Sequence, residues 1–250
     1  MPGDLPSLAI VLLGALVAGF TTGFAGFGTA LVAAGFWYHA LPAPMVPPLV
    51  VLAAVAAHLV GLVTVRKAFD WRRTAPFLVG GALGVPLGVL VLSVASPDGL
   101  RTSVGILLVT YALLQFSGVA RLRIDDWGGR KADGAVGLGG GFLGGFAGLS
   151  GPLPLVWLQL RGGPSAQQRA IYQPFNLVVL GLAAAGMAAS GLVDGDVLLA
   201  TALCLPLTLG GAWAGARVYL GISEKRFRLV ILVLLLASGT FLVVQAITGS

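Results

Sequence analysis

Charged side chains are the scarcest thing in this sequence. Only 10% of its 250 residues are Asp, Glu, Lys or Arg, where an ordinary soluble domain carries about a quarter. What charge there is lies in short breaks. Residues 5–65, 74–97, 102–120, 134–160, 170–193, 197–216 and 229–250 contain none. All but the first are near the roughly 20 residues that cross a bilayer core, and the first is long enough for more than one crossing. This excludes a soluble globular domain and predicts an all-α polytopic membrane protein. Cysteine is nearly absent too. The lone Cys204 excludes an intramolecular disulfide or a cysteine metal cage and reads as a small packing residue. No Asp or Glu stands inside an apolar run, no P-loop occurs, and no motif calls for a cofactor or a metal. The N-terminus lacks a basic n-region and is expected to be retained.

The formal charge of +6 is a property of the loops. Its basic residues are spread over several breaks without interleaved aromatics, which speaks against nucleic acid and for a bilayer as partner.

What the chain has in abundance is glycine, 38 residues of it. "GFAGFG" at 23–28 reappears as "GFAGLSG" at 145–151. A shift of 122 lays Gly19-Phe20 on Gly141-Phe142 and the first Gly-Phe-Ala-Gly on the second. With small gaps, Gly80-Gly81-Ala82 falls on Gly210-Gly211-Ala212, and residues 96–101 on 223–228. The expectation is two homologous four-helix halves: 1–120 and 134–250, joined by the basic segment 121–133 as a cytoplasmic linker. Such repeats are common in secondary transporters.

Positive charge decides between topologies. With every hydrophobic segment crossing, the Lys and Arg residues divide eight against seven. If 5–40 and 134–160 each enter and leave by one face, the division is fourteen against Arg101 alone. The positive-inside rule favours the second arrangement and makes the halves inverted repeats. The N-terminal tail carries no Lys or Arg, so the count speaks only for the second segment; re-entry of the first follows from the repeat.

Re-entrant backbone in a membrane is tolerated only when buried in protein or lining a wet cavity. Glycine makes such a turn feasible. Residues 20–29 and 142–153 are each expected to join two half-helices, with the tips meeting near the midplane and helix N-termini offering N–H donors to an anion. Gly26, Gly28, Gly148 and Gly151 are the candidates for that role. Gly19, Gly23, Gly137, Gly141 and Gly145, spaced by four, read as close-packing contacts.

Few polar side chains interrupt the apolar runs, so each is informative. Ser150 and Thr29 stand where a hydroxyl could cap the next half-helix, with Pro152 in the first turn of the second. Gln173 and Asn176 of "YQPFN" share one face of a helix start; contact with an oxyanion and interhelical hydrogen bonding are the two readings. The first half has Pro47 and Val50 there, so the site is asymmetric. His58 is the one ionisable side chain well inside a span, either an anion ligand and proton relay or a neutral packing residue. Arg101 and Arg169 could draw anions toward vestibules or snorkel. "GLSG" at 148–151 resembles the motif of rhomboid intramembrane serine proteases, yet both histidines precede Ser150 where rhomboids place theirs after the serine.

The Gly-rich openings "GFTTGFAGFGTALV" and "GGFLGGFAGLSGPLPLV", the second-half A-x-x-x-x-x-N region (Ala170 to Asn176) and the "GLVDGD" turn resemble the TauE/SafE-type sulfite exporter family over nearly the whole chain. The resemblance implies a membrane carrier, not an enzyme, that exports small sulfur-containing anions such as sulfite or sulfonates from a bacterial-type inner membrane. An anion channel is the alternative; a coupling ion and a homo-oligomer stay open. Where the family more usually has G-x-G-G-G, this chain has 23–28 and 145–151 as quoted.

Overall fold

The computed structural model describes residues 5–25, 28–65, 70–118, 122–125, 127–218 and 224–248, all of them helix, turn or loop. Ten α-helices and one 3-10 turn follow in order. They are α1 Leu5–Ala25, α2 Thr29–Trp37, the turn Ala43–Met45, α3 Val46–Val65, α4 Trp71–Val94 and α5 Pro97–Phe116. Then come α6 Gly129–Ala147, α7 Pro152–Arg161, α8 Ser165–Ala189, α9 Gly195–Val218 and α10 Glu224–Thr248. Polar residues set the boundaries. Asp70 accepts the N–H groups of Arg72 and Arg73 at the head of α4. Ser96 caps α5, with Pro97 in its first turn. Among the described residues, seven helices (α1, α3, α4, α5, α8, α9 and α10) are long and apolar enough to cross a membrane. The chain is a multi-pass membrane protein.

Both glycine-rich segments are helical hairpins. Gly28 turns the first at φ 103° and Gly148 turns the second at φ 73°, left-handed conformations in which a side chain would strain the backbone. Beyond each turn the second arm runs back along the first. Trp37, at the end of α2, donates its indole N–H to the carbonyl of Val11 at 2.9 Å. Trp157 in α7 likewise donates to the Asp133 carboxylate at 2.8 Å. Arg161, the last residue of α7, donates to the carbonyl of Gly129, the first of α6, at 2.9 Å. Each hairpin therefore enters and leaves at one end of the bundle.

Glycine spacing decides how the hairpins dock. α6 lies along α4, and α1 along α9, with backbone on backbone. A Cβ on Gly141 would strike Gly81, and one on Gly19 would strike Thr208. Gly145 meets Val85 as Gly23 meets Ala212. Shifts of 122 and 127 residues turn either set into the other. The packing reading of Gly19, Gly23, Gly137, Gly141 and Gly145 is what the structure has. The register differs in one respect: Gly81 corresponds to Thr208 and Gly84 to Gly211, so α4 and α9 align at 127 residues rather than the 130 that matching glycine triplets suggest. Rings follow the same pattern. Phe20 stacks on Phe24 at 6.2 Å and Phe142 on Phe146 at 6.0 Å.

α3 and α8 pack on each other at the centre, and α5 on α10 at the side. Of the seven long helices, α3 and α8 are the most buried, at 67% and 61%, against 22% for α10. The hairpins flank this central pair and share no extended interface among the described residues. α1 alone has 21 residues, a rise of about 31 Å that matches a whole bilayer core rather than half of one. Charge counting reveals the end by which an arm leaves, not how deep its turn lies.

Candidate functional site

The second hairpin brings its turn against the face of α8 that carries "YQPFN". α6 ends because Gly148 takes the left-handed conformation, its N–H bonding Gly144 O at 2.9 Å while Leu149 N–H bonds Leu143 O at 3.1 Å. The chain then crosses Ser150 and Gly151 and restarts as α7 at Pro152. Ser150 is 1% exposed, and its hydroxyl donates to Asn176 Oδ1 at 2.9 Å. Gly151 has ordinary helical φ, −77°, so flexibility is not its purpose. Its purpose is room: a Cβ there would sit 3.2 Å from Asn176 Nδ2. Gln173, one turn earlier on α8, is 2% exposed, and its Oε1 is buried without a hydrogen-bond partner. Gly148 faces Val50 and Val51 of α3, where a Cβ would come 2.7 Å from Val50.

Ser150, Gly151, Gln173 and Asn176 thus form one buried polar cluster against an apolar wall. Ser150 is not the helix cap that its position suggests. α7 has no side-chain cap, because its N-cap position is Gly151, and the Ser150 hydroxyl one residue earlier donates to Asn176 instead. The head of α7 is also poorer in donors than a typical helix start. Pro152 and Pro154 occupy two of the four positions whose N–H groups would be free, leaving chiefly neutral side chains and the partial positive charge of the helix end.

The first hairpin forms a second cluster, of threonines. Thr22 and Thr29 share a hydrogen bond between their hydroxyls, and Thr22 Oγ1 accepts the N–H of Thr29 at 2.9 Å. The cap therefore comes from Thr22 across the turn, and Thr29 is the residue capped. Thr21 donates back to Val17 O at 2.7 Å, and its methyl closes against Gly28. Gly26 lies outside the described residues. Arg169, in the first turns of α8, donates to Phe24 O at 2.8 Å and pins this hairpin to the centre of the bundle. The snorkelling reading of Arg169 gives way to that bond.

His58 joins neither cluster by a hydrogen bond. It is 3% exposed on α3, with Nδ1 unpartnered. The two hairpins bond to α8 at positions seven residues apart, about 10 Å of helix rise. Sequence reasoning overlooked the tryptophans that close the hairpins and the buried Asp133. Trp37 and Trp157 stand 120 residues apart, close to the repeat shift, and that spacing was the available signal.

Basic residues gather at one end. Arg72, Arg73, Arg130 and Arg161 line a cavity of about 590 Å³ between the starts of α4, α6 and α8 and the end of α7. Asp133, 7% exposed, pairs with Arg161 at 3.4 Å there. The turn of the second hairpin lies away from this end, so an anion arriving from the basic side meets the arginines before the polar cluster.

Neither the curated proteins nor the solved structures give a match to the chain. The protein families do: residues 11–242 match Sulfite exporter TauE/SafE. With the match covering nearly the whole sequence, and a multi-pass helical bundle to carry it, the chain belongs to the TauE/SafE sulfite exporter family of membrane transporters.

Proposed function

We propose that this protein is a secondary carrier that exports a small sulfur oxyanion, sulfite or an organosulfonate, across a bacterial-type inner membrane. The substrate-binding group is the cluster Ser150, Gly151, Gln173 and Asn176 at the head of α7. The observation that carries this reading is the pair of neutral amides buried beside a helix N-terminus, with Asn176 Oδ1 taken by the Ser150 hydroxyl so that this amide presents its Nδ2 donors. Neutral donors bind an oxyanion through hydrogen bonds of about 1 kcal/mol each, against 1.5–3 for a charged partner, so the anion is held and still leaves. Gly28, Thr29 and Gly148 shape the two turns. His58 is the candidate for coupling to a proton.

Inverted repeats support alternating access. The matched packing of α1 on α9 and α6 on α4 gives two equivalent units that can rock about the α3–α8 pair. The protease reading loses support, because the Ser150 hydroxyl faces an amide rather than an imidazole.

Purified protein in proteoliposomes loaded with sulfite tests this. Labelled sulfite should enter faster against internal sulfite than against internal chloride. Equal rates would indicate a channel, and no uptake of sulfite or sulfonates would end the proposal.

A further inference from the structure

At the end opposite the arginine cavity, a second cavity of about 680 Å³ opens between the α2–α3 connection, α5 and α10. Tyr38, His39, Arg101, Phe241 and Gln245 line it. It extends inward, since His39 Nε2 bonds Ser238 Oγ at 2.8 Å and Ser238 is seven residues, about 10 Å, deeper along α10 than Gln245.

Its polar groups lack an adequate partner. Tyr38 is 2% exposed, yet its buried hydroxyl makes no hydrogen bond. The buried Arg101 Nε makes none either. The carboxylate nearest to Arg101 is Asp98, 3.8 Å away and 79% exposed, a screened ion pair of little energy. Burial first, and the Arg101 guanidinium second, lower the pKa of His39, so the pocket already resists a further positive charge. A hydroxyl and a guanidinium edge around one space want an acceptor with several oxygens, while the His39 ring, whose Nε2–H goes to Ser238, lies beside that space as a reporter.

We propose that this cavity is a binding site for one small oxyanion, anchored by Arg101 and Tyr38 and separate from the cluster at α7. It rests on the transport reading only for its role, which is to hold the anion on the face opposite the basic end, where the exported species is released. The chemistry suits a free sulfur oxyanion and a lipid headgroup phosphate alike; we assign the free anion.

The chain has two histidines, so ¹⁵N-histidine labelling of the full-length protein in phosphatidylcholine nanodiscs gives two assignable ring systems. Sulfite is titrated at pH 7.5 against sodium chloride of equal ionic strength. The His39 signals should shift and saturate with sulfite only. Arg101→Gln should weaken that response at least tenfold, Arg101→Lys should recover part of it, and Tyr38→Phe, which removes only the hydroxyl, should weaken it a few-fold. A linear response shared with chloride, or equal saturation in Arg101→Gln and Tyr38→Phe, would overturn the site. Adding phosphatidylglycerol should leave the sulfite affinity within about twofold; competition in proportion to the lipid would assign the occupant as a headgroup and overturn the free anion. Failure of the transport reading looks different: no flux in proteoliposomes with His39 still saturating.

Discussion

Ser150 and Asn176, 26 residues apart in sequence, meet through a buried 2.9 Å hydrogen bond that ties the turn of the second hairpin to the most functional-looking face of α8. The hydroxyl donates and the amide oxygen accepts, which leaves the Asn176 Nδ2 donors directed toward the Cα of Gly151. Orientation of that amide is thus set by Ser150. Ser150→Ala should raise the KM for the transported anion about fivefold, the equivalent of about 1 kcal/mol, with protein still in the membrane. Asn176→Asp should do more. It places a carboxylate where the anion sits, and flux in proteoliposomes should fall to background while Asn176→Gln keeps a measurable fraction.

The glycine contacts give a stability prediction with its own control. A Cβ at Gly141 or Gly19 runs into the backbone of the facing helix, whereas one at Gly181 or Gly210 meets nothing within 4 Å. Gly141→Ala and Gly19→Ala should each destabilise by about 1–3 kcal/mol, the usual cost of overpacking a close contact. Gly181→Ala and Gly210→Ala should be neutral or slightly stabilising, since Ala is the better helix former. Thermal unfolding in detergent, followed by the fluorescence of a dye that enters opened helices, reads all four. Equal behaviour of the two pairs would mean that the helices separate readily and that the glycines are not packing residues.

Much of this architecture was legible in the sequence because membranes make composition informative. Apolar runs revealed the spans, and the Lys and Arg residues indicated that segment 134–160 enters and leaves by one face, which agrees with the bond from Arg161 to Gly129 that closes this hairpin. The repeat located both turns within a few residues. Depth was not legible: α1 is too long for a midplane turn, and nothing in its composition marks where the turn falls. Partner choice was not legible either. Ser150 and Thr29 both look like caps locally, but Ser150 stands one residue before the N-cap Gly151 and donates to Asn176, and Thr29 is itself capped by Thr22, contacts that depend on how the arms fold back. The Gly-Gly-Ala triplets misled the alignment of α4 with α9 by three residues, since every glycine of α4 meets a neighbour whereas Gly195 and Gly210 of α9 face open space.

Topology can be measured on a Cys204→Ser background. Trp127→Cys and Gly163→Cys flank the second hairpin, and both positions are exposed. A membrane-impermeant maleimide should label them from the same side, the cytoplasmic one, only after permeabilisation. Pro44→Cys and Gly191→Cys, also exposed, should be labelled from outside in intact cells. Opposite labelling of 127 and 163 would require α6 and α7 to cross in sequence and would remove the inverted repeat.

The closing of the second hairpin depends on a buried charge, and this gives the last prediction. Asp133 accepts the Trp157 indole N–H at 2.8 Å and pairs with Arg161 at 3.4 Å, its side chain 10% exposed and that of Arg161 16%. Arg161 in turn lies 5.4 Å over the Trp157 ring and donates to Gly129 O. Removing one member of such a pair costs more than the pair itself contributes, because the remaining ion stays buried without compensation. Asp133→Ala should therefore destabilise by about 3–5 kcal/mol and leave the arm α7 able to separate from α6. Asp133→Asn keeps the acceptor for Trp157 and should cost less. The double variant Asp133→Ala with Arg161→Leu should be more stable than Asp133→Ala alone, since it no longer strands a guanidinium. Unfolding temperatures of these three variants and of Arg161→Leu alone decide it. A double variant as unstable as the sum of its parts would show that Asp133 and Arg161 act independently, each through Trp157 or the Gly129 carbonyl rather than through each other.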